Sequence, residues 1–277
     1  MNNRSEIGIV DTRNIINTLK EQYDYNFKNY ALTFFKRRLE FIINKYNLKN
    51  ADDFIFRITN DKDFFEIFLK EICIETTEMF RDPSLWRYLK DEFFPKILSN
   101  VQNYKIWFPE VNSGEELYTL LILLNELNFL DKVQIFVSSL SQIHINKVKE
   151  GYFDYNKLEV NEANFKRVFR EKELKPYYTV KNERAYFDIS LLQNVKYTKQ
   201  NTIFEEYPKG IKLIICRNQM LYYNQILEER LLKTFNTCLI PGGHLVVGLN
   251  EKIDYWNSDK DYILVDKNEN IYKKKVS

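Results

Sequence analysis

Apolar residues recur at helical spacing through the first hundred positions and give way after Lys105 to short apolar runs separated by polar turns. In the first region Phe35, Leu39, Ile42 and Tyr46 share one helical face. Between Asp61 and Ile74, Phe64, Phe65, Phe68, Leu69 and Ile72 share another. Asp82-Pro83 predicts a helix start, with Asp as N-cap and Pro at the first helical position. Leu85, Trp86, Leu89 and Phe93 form the buried stripe of that helix, which the pattern ends near Pro95. No strand signal interrupts residues 1–100, so they predict an all-helical domain, with the boundary in the polar stretch between Ser99 and Tyr104.

Residues 101–277 read differently. Strands are predicted at Lys105 to Phe108, Val133 to Val137, Val195 to Gln200, Ile211 to Cys216 and His244 to Leu249. Helices alternate with them. One is opened by a Ser113/Glu116 capping box and striped by Leu117, Leu120, Leu121, Leu124 and Leu127. A second runs from about Gln142 to Glu150, and a third is capped by Asn224. Alternation of this kind implies an α/β domain: a doubly wound, mostly parallel sheet with helices on both faces. Tyr262 to Val265 and Ile271 to Lys274 flank Asn268-Glu269-Asn270 and predict a terminal antiparallel hairpin. Residues 151–194 are polar, aromatic and weakly periodic, and read as a possible small subdomain.

Composition narrows the classes. The net charge of +2 gives no global basic field for nucleic acid, and 44% hydrophobic with 29% charged residues is ordinary for a globular chain. No leader-like apolar core follows Met1, and no apolar run is long enough to span a membrane, so a cytoplasmic protein without membrane insertion is expected. Cys73, Cys216 and Cys238 each lie in an apolar run and fall at no metal-ligand spacing. His144 and His244 lie in unrelated contexts, so the sequence predicts no metal site. A monomer is the default expectation.

The chemistry concentrates where the fourth strand ends, at Cys216-Arg217-Asn218 followed by an apolar turn and Tyr222. Ligands of open α/β sheets bind beyond the carboxyl ends of the strands, so Arg217 and Asn218 stand where a ligand contact is expected. This segment resembles the chemotaxis receptor methyltransferases (CheR-type). Three further landmarks carry the resemblance in the same order: Thr76-Thr77-Glu78-Met79-Phe80-Arg81-Asp82-Pro83, Ser113-Gly114-Glu115-Glu116-Leu117-Tyr118, and Pro241-Gly242-Gly243 before a strand ending in Gly248.

The resemblance implies a class I, Rossmann-like fold and S-adenosylmethionine (SAM) as cofactor. It implies methyl transfer to glutamate side chains of a chemoreceptor or similar signalling protein with acidic methylation helices. It places Arg81 and Tyr222 at the reacting methyl group. Thr77, Gly114, Glu115, Ser139, Asn201, Thr202, Arg217 and Asn218 become the cofactor contacts. Lys36, Arg37 and Arg38 form a basic ridge that family members turn toward the receptor; without the resemblance they read as a solvated helix face.

Two departures bear on the cofactor. The family's small-residue loop after the first strand is here Pro109-Glu110-Val111-Asn112-Ser113-Gly114, and only the last glycine matches. Ser139 stands where the family has an acid for the ribose hydroxyls. Losing such a carboxylate costs about 1–3 kcal/mol, a tenfold to hundredfold loss of affinity. Weak SAM binding is therefore expected, and a carboxylate restored at 139 is expected to tighten it. Two functions stay open: an active protein-glutamate methyltransferase, and a catalytically impaired pseudoenzyme acting as a protein-binding signalling module. Glu110 is a possible substitute acid.

Overall fold

The computed structural model describes residues 6–73, 78–200, 207–253 and 261–276. Four helices come first: α1 (Ile9–Tyr23), α2 (Leu32–Lys45), α3 (Ala51–Asn60) and α4 (Lys62–Ile72). Asn50 and Asp61 cap α3 and α4 by accepting from the backbone N–H groups of Asp53 and Phe64. The predicted stripes are the buried ones, with Phe35, Leu39 and Ile42 on α2 and Phe64, Phe68 and Leu69 on α4 in a shared core.

After Glu78 come α5 (Pro83–Tyr88), a π-helical turn over Leu89–Phe93, and α6 (Phe94–Leu98). The helical path thus runs past Pro95, where the sequence pattern ended it. The Phe94 N–H reaches back five residues to the Leu89 carbonyl. This wider turn accommodates a proline that has no N–H and would crowd the carbonyl four residues before it. Asp82 precedes α5 but does not cap it through its side chain; its backbone is left-handed (φ 56°).

The sheet domain follows: β1 (Tyr104–Phe108), α7 (Glu115–Glu126), β2 (Val133–Ser139), α8 (Gln142–Glu150), β3 (Tyr152–Asp154), α9 (Leu158–Val168), β4 (Tyr178–Lys181), β5 (Arg184–Phe187), β6 (Val195–Lys199), β7 (Ile211–Cys216), α10 (Gln225–Cys238), β8 (Leu239–Val247), β9 (Tyr262–Asp266) and β10 (Ile271–Lys274). Seven strands form one sheet in the order β6-β2-β1-β7-β8-β10-β9. The first five in that order are parallel neighbours, and β10 is antiparallel to both β8 and β9. The terminal hairpin is as the sequence predicts. Residues 151–194 contain α9 and a separate antiparallel sheet, β3-β5-β4. The fifth strand begins at Leu239 rather than His244, because three extra residues around Pro241-Gly242-Gly243 bulge out of its pairing with β7.

Strand alternation divides the core in two. Trp107, Ile214 and Leu245 point to the face that carries α1 to α4 and α10. Ile106, Phe108, Leu213 and Ile215 point to the opposite face, with α5, α6, α7 and the small sheet. Chain order reverses between β1 and β7, so the crevice beyond their carboxyl ends is the topological switch point of the sheet.

Candidate functional site

Two adjoining clefts lie at that switch point. The first is lined by Glu78, Arg81, Glu116, Arg217 and Asn218 among others. The second is lined by Tyr30, Phe34, Cys73, Leu140 and Tyr222 among others. Glu110, Asn112, Asn218 and Gln219 line both.

The turn that carries Arg81 is fixed from three sides. The Met79 N–H donates to Asn161 at 2.9 Å, the Phe80 N–H to Thr119 at 2.9 Å, and the Trp86 indole to the Arg81 carbonyl at 2.8 Å. Phe80 and Asp82 both adopt positive φ, a conformation that residues with a Cβ hold only when their surroundings impose it. Arg81 is thereby placed on the first cleft. Its charge is felt at the half-buried Tyr222 hydroxyl, whose pKa is raised by burial and by Glu251 and drawn back by Arg81 and Arg38. Tyr222 stacks on Phe34 of α2 with ring centroids 4.3 Å apart, and its carbonyl accepts the Ala31 N–H at 2.9 Å. The N-terminal helical region therefore forms one wall of the site.

Arg217 is 5% exposed and its guanidinium is held by Asp82 and Glu116. These are the two acids that the sequence reading assigned to helix caps. Neither caps: α7 is entered instead through Gly114 at φ 96°, where an added Cβ would come within 2.7 Å of Val148. The buried Arg217 Nε has no hydrogen-bond partner among the described residues, and Arg217 lines the first cleft.

The loop after β7 is braced from behind by Glu251, which the sequence reading missed. Its carboxylate accepts the N–H groups of Asn218, Met220 and Gly248, each at 2.7 Å. Asn270 secures the Glu251 loop in turn by donating to the carbonyls of Gly248, Leu249 and Glu251. No local motif marks Glu251, because all the groups it satisfies are backbone.

The loop after β1 supplies the other acid. Glu110 accepts the Ser139 hydroxyl at 2.6 Å and the Leu140 N–H at 3.0 Å. A carboxylate thus lies at the end of β2, where the sequence shows only serine. Burial pushes its pKa up, opposed by the Ser139 hydrogen bond and His144. Gln219 ties the two loops together, donating to the Glu110 carbonyl at 2.8 Å. Pro109 lines neither cleft, and Val111 packs into the core while lining the first.

The remaining expected residues separate. Asn218 lies on both clefts. Ser139 is fully buried and meets the site through Glu110. Gly114 and Glu115 line neither cleft: Gly114 packs against Val148 and Phe153, and Glu115 accepts the Ser113 hydroxyl and faces Lys157 at 3.6 Å. Thr77, Asn201 and Thr202 lie outside the described residues. The basic ridge on α2 is partly engaged, with Lys36 paired to Glu40 at 2.6 Å and Arg38 donating to the Glu71 carbonyl.

Residues 75–269 match the SAM-binding domain of CheR methyltransferases, and residues 11–73 match the family's all-alpha domain. The chain belongs to the CheR methyltransferase family. S-adenosylmethionine is accordingly its cofactor. The chain is 27% identical over 246 residues to the methyltransferase Cher3 of Pseudomonas putida, covering 89% of this chain and 90% of that protein. It is 25% identical over 268 residues to a chemotaxis protein methyltransferase of Borreliella burgdorferi, covering 90% of each. With chemotaxis protein methyltransferase 1 of Vibrio cholerae it shares 24% identity over 227 residues, 79% of this chain and 80% of that one. Among the described residues no helix is long and apolar enough to cross a membrane.

Proposed function

We propose that this protein transfers the methyl group of S-adenosylmethionine to glutamate carboxylates of a chemoreceptor-type signalling protein, with Arg81 and Tyr222 at the reacting centre. The observation that carries this reading is the pair of clefts at the switch point, joined through Glu110 and Asn218 and bordered by Arg81 on one side and Tyr222 on the other. Named relatives support the substrate class, since several are chemotaxis protein methyltransferases.

The bound cofactor supplies a sulfonium-activated methyl group. A glutamate carboxylate is already ionised near neutral pH and needs no general base. The protein's task is alignment and exclusion of water. Arg81, on its rigid turn, orients the incoming carboxylate. Tyr222, kept neutral by burial, walls the reacting centre. Glu110 accepts from the ribose hydroxyls, anchored by Ser139 in the place of the missing β2 acid. Arg217 and Asn218, on the first cleft, face the amino-acid end of the cofactor.

The test is methyl incorporation from labelled SAM into receptor cytoplasmic domains. We expect Arg81→Ala to lower turnover at least a hundredfold while leaving S-adenosylhomocysteine binding and thermal stability nearly unchanged, since an oriented ionic contact at a reacting centre is worth this much. Unchanged turnover removes Arg81 from the mechanism. A parent protein that gives a flat S-adenosylhomocysteine titration at millimolar ligand replaces the enzyme with the signalling-module reading.

A further inference from the structure

The Cys73 thiol, the Glu110 carboxylate and an imidazole nitrogen of His144 lie within 4.8 Å of one another, although the three residues are more than thirty positions apart in sequence. We propose that this cluster binds a divalent cation of the zinc type, and that the bound cation withdraws Glu110 from the nucleoside. The second half rests on the ribose role given to Glu110 above; the first does not.

The donor set is specific. One thiolate, one imidazole and one carboxylate are the ligand types zinc takes, whereas magnesium and calcium require oxygen donors. Tetrahedral zinc with bonds of about 2.0–2.3 Å brings its ligand atoms to about 3.3–3.8 Å from each other. Starting from 4.8 Å or less, side-chain adjustments of about 1 Å close the site.

Each ligand stands on a fixed support. Cys73 is the C-cap of α4. His144 is in the first turn of α8, whose N-cap Ser141 accepts the His144 N–H at 3.3 Å. The two helices are joined where Glu66 of α4 accepts the Gln142 N–H at 3.4 Å and pairs with Lys199. Glu110 is held by Ser139 and Leu140.

Charge also fits. Binding releases the Cys73 proton to solvent, and thiolate plus carboxylate then neutralise the dication. Cys73 and Glu110 both line the second cleft, which leaves a fourth coordination position open toward it. Glu110 can bind the metal or the ribose. A zinc-type ion therefore acts as a competitive inhibitor built from the cofactor's own anchor.

Cobalt(II) is the probe, titrated into the full metal-free chain and read by absorbance. We expect one equivalent to bind with a thiolate-to-metal charge-transfer band. Cys73→Ser should abolish the band, and His144→Gln should weaken binding at least tenfold. Cys73→Ser, at a half-exposed helix end, serves as the test even if His144→Gln fails to fold. Absence of the band, or equally tight cobalt binding by Cys73→Ser, overturns the site. In a second arm, saturating zinc should weaken S-adenosylhomocysteine binding at least tenfold in the parent and leave it unchanged in Cys73→Ser. If cobalt binds as expected while zinc leaves the nucleoside affinity untouched, the cation site stands and the ribose role of Glu110 falls.

Discussion

Two carboxylates sit beside the cleft, one on each side of the switch point, Glu251 buried and Glu110 half-buried. Glu251, behind the β7 loop, is 3% exposed and accepts three backbone N–H groups. Glu110, in the β1 loop, accepts the Ser139 hydroxyl and the N–H groups of Leu140 and Asn112, and it lines both clefts. Burial pushes both carboxyls upward. Each accepts three hydrogen bonds, so the difference lies in access: Glu251 is enclosed behind its loop, whereas Glu110 reaches the clefts, where a ligand can meet its remaining lone pairs. On the β7 side, the loop from Cys216 to Tyr222 is braced by a distant acid; on the β1 side, the loop's own carboxylate lies against the end of β2.

The comparison breaks most severely at Glu251. Glu251→Ala leaves three backbone donors without their acceptor, two of them buried, and we expect a loss of about 3 kcal/mol or more in urea unfolding. A loss under 1 kcal/mol would mean that the β7 loop holds itself. Glu110→Gln should do the reverse, changing stability by about 1 kcal/mol or less while weakening S-adenosylhomocysteine tenfold to a hundredfold in calorimetry.

Ser139→Asp sharpens the contrast. Judged from the sequence alone it should tighten the cofactor, but the structure reverses the sign. The Ser139 oxygen is 2.6 Å from Glu110, and a second carboxylate there meets the first at close range. We expect about tenfold weaker binding from Ser139→Asp and recovery in the Ser139→Asp/Glu110→Gln double variant. Failure of the double variant to recover would separate the two positions. Because the folded Glu110 pKa is raised, S-adenosylhomocysteine affinity should fall on acidification at a higher pH than an exposed glutamate would give.

The smallest effect concerns His244 on β8, away from both acids. Burial and the facing Lys273 lower its pKa from 6.5 to about 4. A depressed folded pKa contributes stability that is complete above 6.5 and lost as pH falls toward 4. His244→Phe should therefore flatten the pH dependence of the melting temperature between those limits. An unchanged slope assigns acid lability elsewhere.

What the chain declares by itself is whatever repeats along it. Helical stripes, strand alternation, the Asn224 cap and the hairpin at Asn268-Glu269-Asn270 are local patterns, each enforced by the geometry of one element. The motifs around Arg81 and Arg217 are contiguous, so they too could be read directly. The motif letters did not fix the roles of Asp82 and Glu116. Both look like caps beside a helix start, yet both face Arg217, and a charge that must be buried outbids a helix end for its partners. The acid at the end of β2, the brace at Glu251 and the Cys73/Glu110/His144 cluster were settled by tertiary structure alone. Each joins residues from separate elements, and side-chain chemistry carries no record of which distant loop will fold against it.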